Sequence, residues 1–167
     1  MAVLGQKKRL AADSNLLFDL AARKDFALTF LEVAGEKSFT LHLPPTVVQE
    51  LSFAALHKQG VEQKLALKAL RSIRSWGIVP FDLVAVGDGI TEQFARCLHE
   101  LKLLPEAELN DGLILAETRL AGIPLLVTSD KHLLDIEADE LCAVCRDRHI
   151  SEVRVAHPKK LLKAWGN

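Results

Sequence analysis

The sequence predicts an α/β protein organised around a mostly parallel sheet, and three observations carry that prediction. Helical and strand-like stretches alternate along the chain, with Pro and Gly punctuating them at regular intervals. Ile123-Pro124-Leu125-Leu126-Val127-Thr128 is a nearly continuous apolar run, the pattern of a strand buried on both faces in the middle of a parallel sheet. The length, 167 residues at 49% hydrophobic, is enough to close one core and falls within one ordinary domain, so a single domain over residues 1–167 is expected. There is no internal repeat and no low-complexity tract.

Taken in order, Arg9-Leu10-Ala11-Ala12 reads as a short first strand, followed by one helical stretch over about residues 16–33. Residues 38–43 alternate as a strand should, and Pro44-Pro45 stops them. Thr46-Val47-Val48-Gln49 reads as a capping box, the Thr46 hydroxyl accepting from the Gln49 amide while the Gln49 side chain reaches back, which places Glu50 in a helix's first turns. A second helix spans about residues 61–76, with Leu65, Ala69, Ile73 and Trp76 as its buried stripe and Gly77 as its end. Residues 78–86 read as a mixed strand or extended segment and 91–103 as a helix. Pro105 breaks the chain before a helix that opens near Asn110 and Asp111 and closes at Gly122. After the central apolar strand, Val153-Arg154-Val155-Ala156 forms a last strand and residues 159–165 a last helix, with Pro158 at its first position.

Composition removes several classes of function. With 21 basic and 22 acidic residues the net charge is −1, so nucleic acid would have to be held by local patches. Tyrosine is absent and aromatics are 5%, which argues against a single-strand binder built on stacking platforms. Three cysteines, an odd number, fit thiols in a reducing cytoplasm better than a disulfide framework. Charge follows the short apolar opening at Lys7-Lys8-Arg9, and no apolar run reaches membrane-spanning length, so neither a signal peptide nor a membrane anchor is expected. Gly87-Asp88-Gly89 lacks the spacing of a dinucleotide fingerprint, and no Walker-type loop or nucleophile elbow occurs.

What remains is acidic. Asp13 follows the first strand and Asp130 follows the central one, each leading into a helix. Parallel strands point the same way, so both carboxylates emerge at the sheet's carboxyl edge, where such sheets place their ligands. Glu50 and Asp111 lie in the first turns of helices that start at that edge. Carboxylates gathered closely repel, raise one another's pKa and favour a hard cation with oxygen ligands. With Mg²⁺ or Mn²⁺ held there, water is activated at neutral pH and the charge developing on a phosphodiester is stabilised. Ser14, Asn15, Thr128 and Ser129 are small polar neighbours able to orient water or phosphate oxygens.

At these residues the chain resembles the PIN-domain family. Asp13-Ser14-Asn15-Leu16-Leu17 after a strand resembles the family's D-[ST]-[NS]-hydrophobic opening, and Asn110-Asp111-Gly112-Leu113-Ile114-Leu115-Ala116 looks like its D-x-x-[IL]-x-A helix start. Thr128-Ser129-Asp130-Lys131 resembles its T-x-D segment, and Pro45-Thr46-Val47-Val48-Gln49-Glu50-Leu51 is similar to the block that carries its glutamate. The resemblance runs through nearly the whole chain. It implies a three-layer α/β/α sandwich and a Mg²⁺- or Mn²⁺-dependent ribonuclease with an RNA substrate; many members are VapC-like toxins paired with an antitoxin, others are RNA-processing enzymes, and homodimerisation is compatible with the resemblance. It makes Asp13, Glu50, Asp111 and Asp130 the catalytic carboxylates, with Asp13, Asp111 and Asp130 holding metal and Asn15, Thr128 and Ser129 positioning substrate. His132 stands where many members carry a further Asp, and the chain is longer than many compact toxins.

Plainer readings compete for each residue. Alone, Asp13 is a turn or helix-cap residue and Asp111 an acid favoured by a helix dipole; only the set of four in order points to metal. Glu32, Glu106, Glu108 and Glu117 compete with Glu50. Cys142-x-x-Cys145 with His149 has zinc-like spacing, with Asp147 or His157 as a fourth ligand, but one knuckle reads better as small buried thiols beside a solvent-facing His. Lys64, Lys68 and Arg71, near Arg74, line the helix face opposite the apolar stripe and serve either RNA backbone or solvent; Lys159, Lys160 and Lys163 invite the same two readings. Two rival functions follow: a PIN-like binding module with an idle metal site, and a receiver-like signalling domain. The latter calls for adjacent acids after the first strand, where Ala12-Asp13-Ser14 offers one.

Overall fold

A computed structural model describes residues 8–166. The apolar opening from Met1, read above as neither signal peptide nor anchor, lies outside the described residues up to Lys7. The elements are β1 (Lys8–Ala12), α1 (Ser14–Ala21), α2 (Asp25–Glu36), β2 (Phe39–Leu43), α3 (Pro45–His57), α4 (Gly60–Ser72), β3 (Val79–Pro80) and α5 (Ala85–Glu100). A 3-10 turn at Glu106–Glu108 leads into α6 (Leu109–Leu120), then β4 (Leu125–Val127), α7 (Lys131–Leu134), α8 (Ala138–Asp147), β5 (Arg154–Ala156) and α9 (Pro158–Ala164).

The five strands form one sheet in the order β3-β2-β1-β4-β5, every pairing parallel. The α/β class expected from the sequence is therefore the one observed, with helices packed over a central parallel sheet. Ala11, Ala12, Leu126 and Val127 are fully buried, as strands covered on both faces require. Phe30, Leu16, Leu17, Ile114 and Leu115 from the helices close over them in one continuous core. Each such side chain contributes about 1.5–3 kcal/mol by leaving water. No helix among the described residues is long and apolar enough to cross a membrane.

Four local expectations are corrected. The single helix expected over residues 16–33 is two helices, because Arg23 takes a left-handed conformation (φ 58°) and turns the chain between α1 and α2. The capping box does not form: Pro44 is the N-cap of α3, and Thr46 gives both its amide and its hydroxyl to Glu117 instead of exchanging bonds with Gln49. The extended segment shrinks to the two residues of β3, an edge strand where Pro80 is tolerated. The following helix begins at Ala85 and not at Thr91, running through Gly87 and Gly89. Weak helix propensity at the two glycines does not stop it, and Gly87 lies between Leu83 and Leu120 of α6.

Candidate functional site

From β1 the chain moves outward through β2 to β3, then crosses to the other side of β1 to lay down β4 and β5. The carboxyl ends of β1 and β4 are therefore the topological switch point, where α/β sheets open a crevice. A cleft of about 540 Å³ lies there, and Asp13, Asn15, Glu50, Asp111 and Asp130 all line it.

Sheet register places the first half of this cluster. Ala12 pairs with Val127, so the next residues, Asp13 and Thr128, leave the sheet side by side, and the Asp13 amide donates to the Val127 carbonyl at 3.0 Å. Asp13 sits at the N-cap of α1 yet makes no side-chain capping bond, so the plain capping role does not account for it. Its Oδ2 instead accepts the Thr128 hydroxyl at 2.6 Å. The Asp130 amide donates back to Thr128 Oγ1 at 2.9 Å, so one hydroxyl fixes both acidic segments. Asp130 also accepts from Asn15 Nδ2 at 3.0 Å on one oxygen and caps α7 through the His132 amide at 2.7 Å on the other.

Helices bring the second half. Asp111 lies in the first turn of α6, is almost wholly buried, and its Oδ2 has no hydrogen-bond partner. Glu50 projects from α3, where Asn110 Nδ2 donates to its Oε1 at 3.1 Å. Gly112 lets this arrangement close: a Cβ there would lie 2.9 Å from Ala95 Cα, so the start of α6 presses directly on α5.

Electrostatics register the crowding. The Asp111 carboxyl is pushed up to about 8, first by burial and then by the charges of Asp13, Asp130, Glu108 and Glu50. Asp13 is pushed up to about 6, again first by burial; the Thr128 hydrogen bond opposes the rise, and the charges of Glu50 and Asp130 add to it. An oxygen-only donor set with an unpartnered buried carboxylate oxygen matches a hard divalent cation. Among the described residues, no three His, Cys, Asp or Glu side chains already stand together as a ligand group.

The other expected residues fall differently. Thr128 is fully buried and does not line the cleft, its hydroxyl being bonded to the Asp13 carboxylate. Ser129 faces away too, donating to the buried Asp19 at 2.6 Å, which also pairs with Lys24. Lys64, Lys68 and Arg71 are exposed on α4 but do not line the cleft; Lys58 and Glu62 do. Cys145 is buried and Cys142 half-buried on α8, with His149 exposed at its end. Sequence reasoning missed Glu117 as the clamp on α3, and it missed Phe53 and Lys58. The one signal for Phe53 was its spacing, three residues after Glu50 on the same face of a helix.

The sequence model of the PIN domain matches residues 11–139, most of the chain. The chain belongs to the PIN-domain family. The match spans all four carboxylates, from the end of β1 to the start of α8. No curated protein matches the chain by sequence. Among solved structures, the PIN fold seen here is similar to a chain in the crystal structure of VapBC2 from Rickettsia felis bound to a DNA fragment from their promoter. The similarity covers 89% of this chain and 98% of that one, with a TM-score of 0.61 at 17% sequence identity, a likeness of fold.

Proposed function

We propose that this PIN-domain protein is a divalent-metal-dependent endoribonuclease, hydrolysing RNA phosphodiesters at the cleft between β1 and β4. The observation that carries the reading is Asp111: a buried carboxyl with an unpartnered oxygen, raised to about 8 beside three other acids in an open cleft. Asp13, Asp111 and Asp130 would hold Mg²⁺ or Mn²⁺. When bound, such a cation supplies Lewis acidity, polarising the phosphodiester and making water a competent nucleophile at neutral pH.

The chain's own groups do the positioning. Thr128 holds Asp13 and the start of the Asp130 segment in one orientation, and Asn15 holds Asp130 from the first turn of α1. Glu50, steered by Asn110, completes the cluster or orients the attacking water. The likeness to VapBC2 supports a toxin role with an antitoxin as partner.

Cleavage of a structured RNA by the purified protein in Mn²⁺, Mg²⁺ and EDTA tests the reading, with Asp13→Asn and Asp111→Asn prepared identically. Cleavage that requires metal and vanishes in both variants is expected. Cleavage persisting in the variants would indicate a contaminating nuclease. No cleavage together with no Mn²⁺ uptake by calorimetry would turn the reading to a binding module.

A further inference from the structure

Phe53 has no structural reason to face water. Of the chain's seven Phe and two Trp it is the one exposed ring, at 56% exposure; the others are buried or half-buried. Its helix seats itself on the core through Val47 and Leu51 and on α4 through Ala54 and Ala55, and Phe53 belongs to neither cluster. It lines the same cleft as the four carboxylates. The ring is also held in place, with the His57 imidazole packed on it at 4.7 Å between centroids.

Lys58 stands next along the same wall. In a cleft lined by Asp13, Glu50, Glu62, Glu108, Asp111 and Asp130 it is the cation, and among the described residues no carboxylate lies within ion-pair distance of it. From Glu50 to Lys58 is eight residues, roughly 12 Å along a helix axis. That is the span of about two nucleotides of an extended strand, with Phe53 between the two ends.

Resting on the nuclease reading above, we propose that Phe53 and Lys58 form a subsite for an unpaired nucleotide flanking the cut, the base stacking on Phe53 and a neighbouring phosphate pairing with Lys58. A base inside a duplex has both faces covered by its neighbours, so only single-stranded RNA or a loop can present a free face to the ring. Phenylalanine carries no hydrogen-bonding group, so the subsite accepts any base: it selects unpaired RNA by shape and not by sequence. The low aromatic content excludes a run of stacking platforms, and one base beside the cut needs one ring. Leu56 and Val61 are exposed nearby but lie outside the cleft lining; within it, one aromatic face and one cation stand together, a pairing that suits a base and its phosphate.

The test is fluorescence anisotropy with a labelled eight-nucleotide single-stranded RNA and its duplex, using the full chain carrying Asp111→Asn in EDTA so that nothing is cut. Phe53→Ala should weaken single-strand binding about five- to hundredfold, and Phe53→Trp should restore it. Lys58→Ala should weaken binding and lower the salt dependence by about one phosphate contact. The duplex should bind poorly to every variant. Equal binding of Phe53→Ala and its parent, no single-strand binding by the parent, or equal binding of duplex and single strand would overturn the proposal. So would a Phe53→Ala effect on dimer formation, read by light scattering, with RNA binding unchanged. Metal-dependent cleavage by the wild type alongside an inert Phe53 would sink this subsite alone; Phe53-dependent binding without cleavage would sink the nuclease reading alone.

Discussion

Glu117 on α6 accepts two hydrogen bonds from a single residue of α3, the Thr46 amide at 2.9 Å and the Thr46 hydroxyl at 2.7 Å. Both residues are buried, and burial raises the Glu117 pKa while the two bonds oppose the rise. The pair clamps the N-terminus of the helix that carries Glu50 to the helix that carries Asp111. Glu117→Ala strands the Thr46 donors and should lower unfolding stability by about 1–3 kcal/mol, whereas Glu117→Gln keeps an acceptor and should lose less. Urea titration measures both; equal stability of wild type and the Ala variant would remove the clamp.

Thr128 should matter through Asp13. Thr128→Val removes the hydroxyl that favours the charged form of Asp13, leaving burial and neighbouring charge to raise that carboxyl further. Mn²⁺ affinity by calorimetry should fall in Thr128→Val and survive in Thr128→Ser. Undiminished affinity in the Val variant would show that the 2.6 Å contact does not tune the site.

The raised carboxyls predict a pH dependence whose sign follows from linkage. The folded protein keeps protons on Asp13 and Asp111 that the unfolded chain releases from about pH 4 upward. The folded state therefore loses stability as pH rises toward about 6 for Asp13 and about 8 for Asp111. Asp111→Asn abolishes the second effect, so in EDTA its Tm advantage over wild type should be small at pH 5 and larger at pH 8. Calorimetry at the two pH values decides it; an advantage that shrinks toward pH 8 contradicts the assigned protonation.

Gly112 has a steric reason to be glycine. The Cβ of Gly112→Ala would meet Ala95 Cα and Cβ at 2.9 Å, a backbone atom and a methyl with no rotamer to yield, so the clash gives way only if α5 and α6 separate. A loss of about 1–3 kcal/mol is expected. Pairing it with Ala95→Gly should recover part of that loss in a double-mutant cycle, and simple additivity would mean the strain lies elsewhere.

The sequence was most informative where chemistry and periodicity agreed. The central apolar strand, the glycine end of α6 at Gly122 (φ 74°) and Pro158 at the first position of α9 appear as expected, whereas α4 stops at Ser72, short of Gly77. The four carboxylates were legible because each follows a strand or opens a helix. Legibility failed where the backbone did something its residue does not advertise. Helices α1, α2, α5 and α8 end on Arg23, Ser38, Lys102 and His149, all in the left-handed region where glycine is usual, so no residue type marks those ends. Apolar periodicity simply ran on through Arg23. Glu117 and Phe53 were hidden for another reason: their roles depend on which helix lies opposite, which is tertiary information.

That left-handed Arg23 carries its own test. Its amide and that of Lys24 close the end of α1 onto Leu20 and Asp19, a geometry in which a Cβ costs about 1 kcal/mol or more. Arg23→Gly should relieve that cost and raise Tm by about 2–4 °C for each kcal/mol gained. An unchanged or lowered melting temperature would mean the arginine side chain offsets the backbone cost.

The Asp13–Thr128 contact joins residues 115 positions apart, one at the end of the first strand and one at the end of the fourth. During synthesis the first 110 residues contain only Asp13 and Glu50 of the cluster, and β1 lacks the neighbour that fixes its edge until Val127 has been made. A nascent or prematurely terminated chain thus holds half an acidic cluster on an unfinished sheet. The acidic cleft is complete only once the chain has been made past Asp130, and fragments released earlier carry the opening motif without its counterpart.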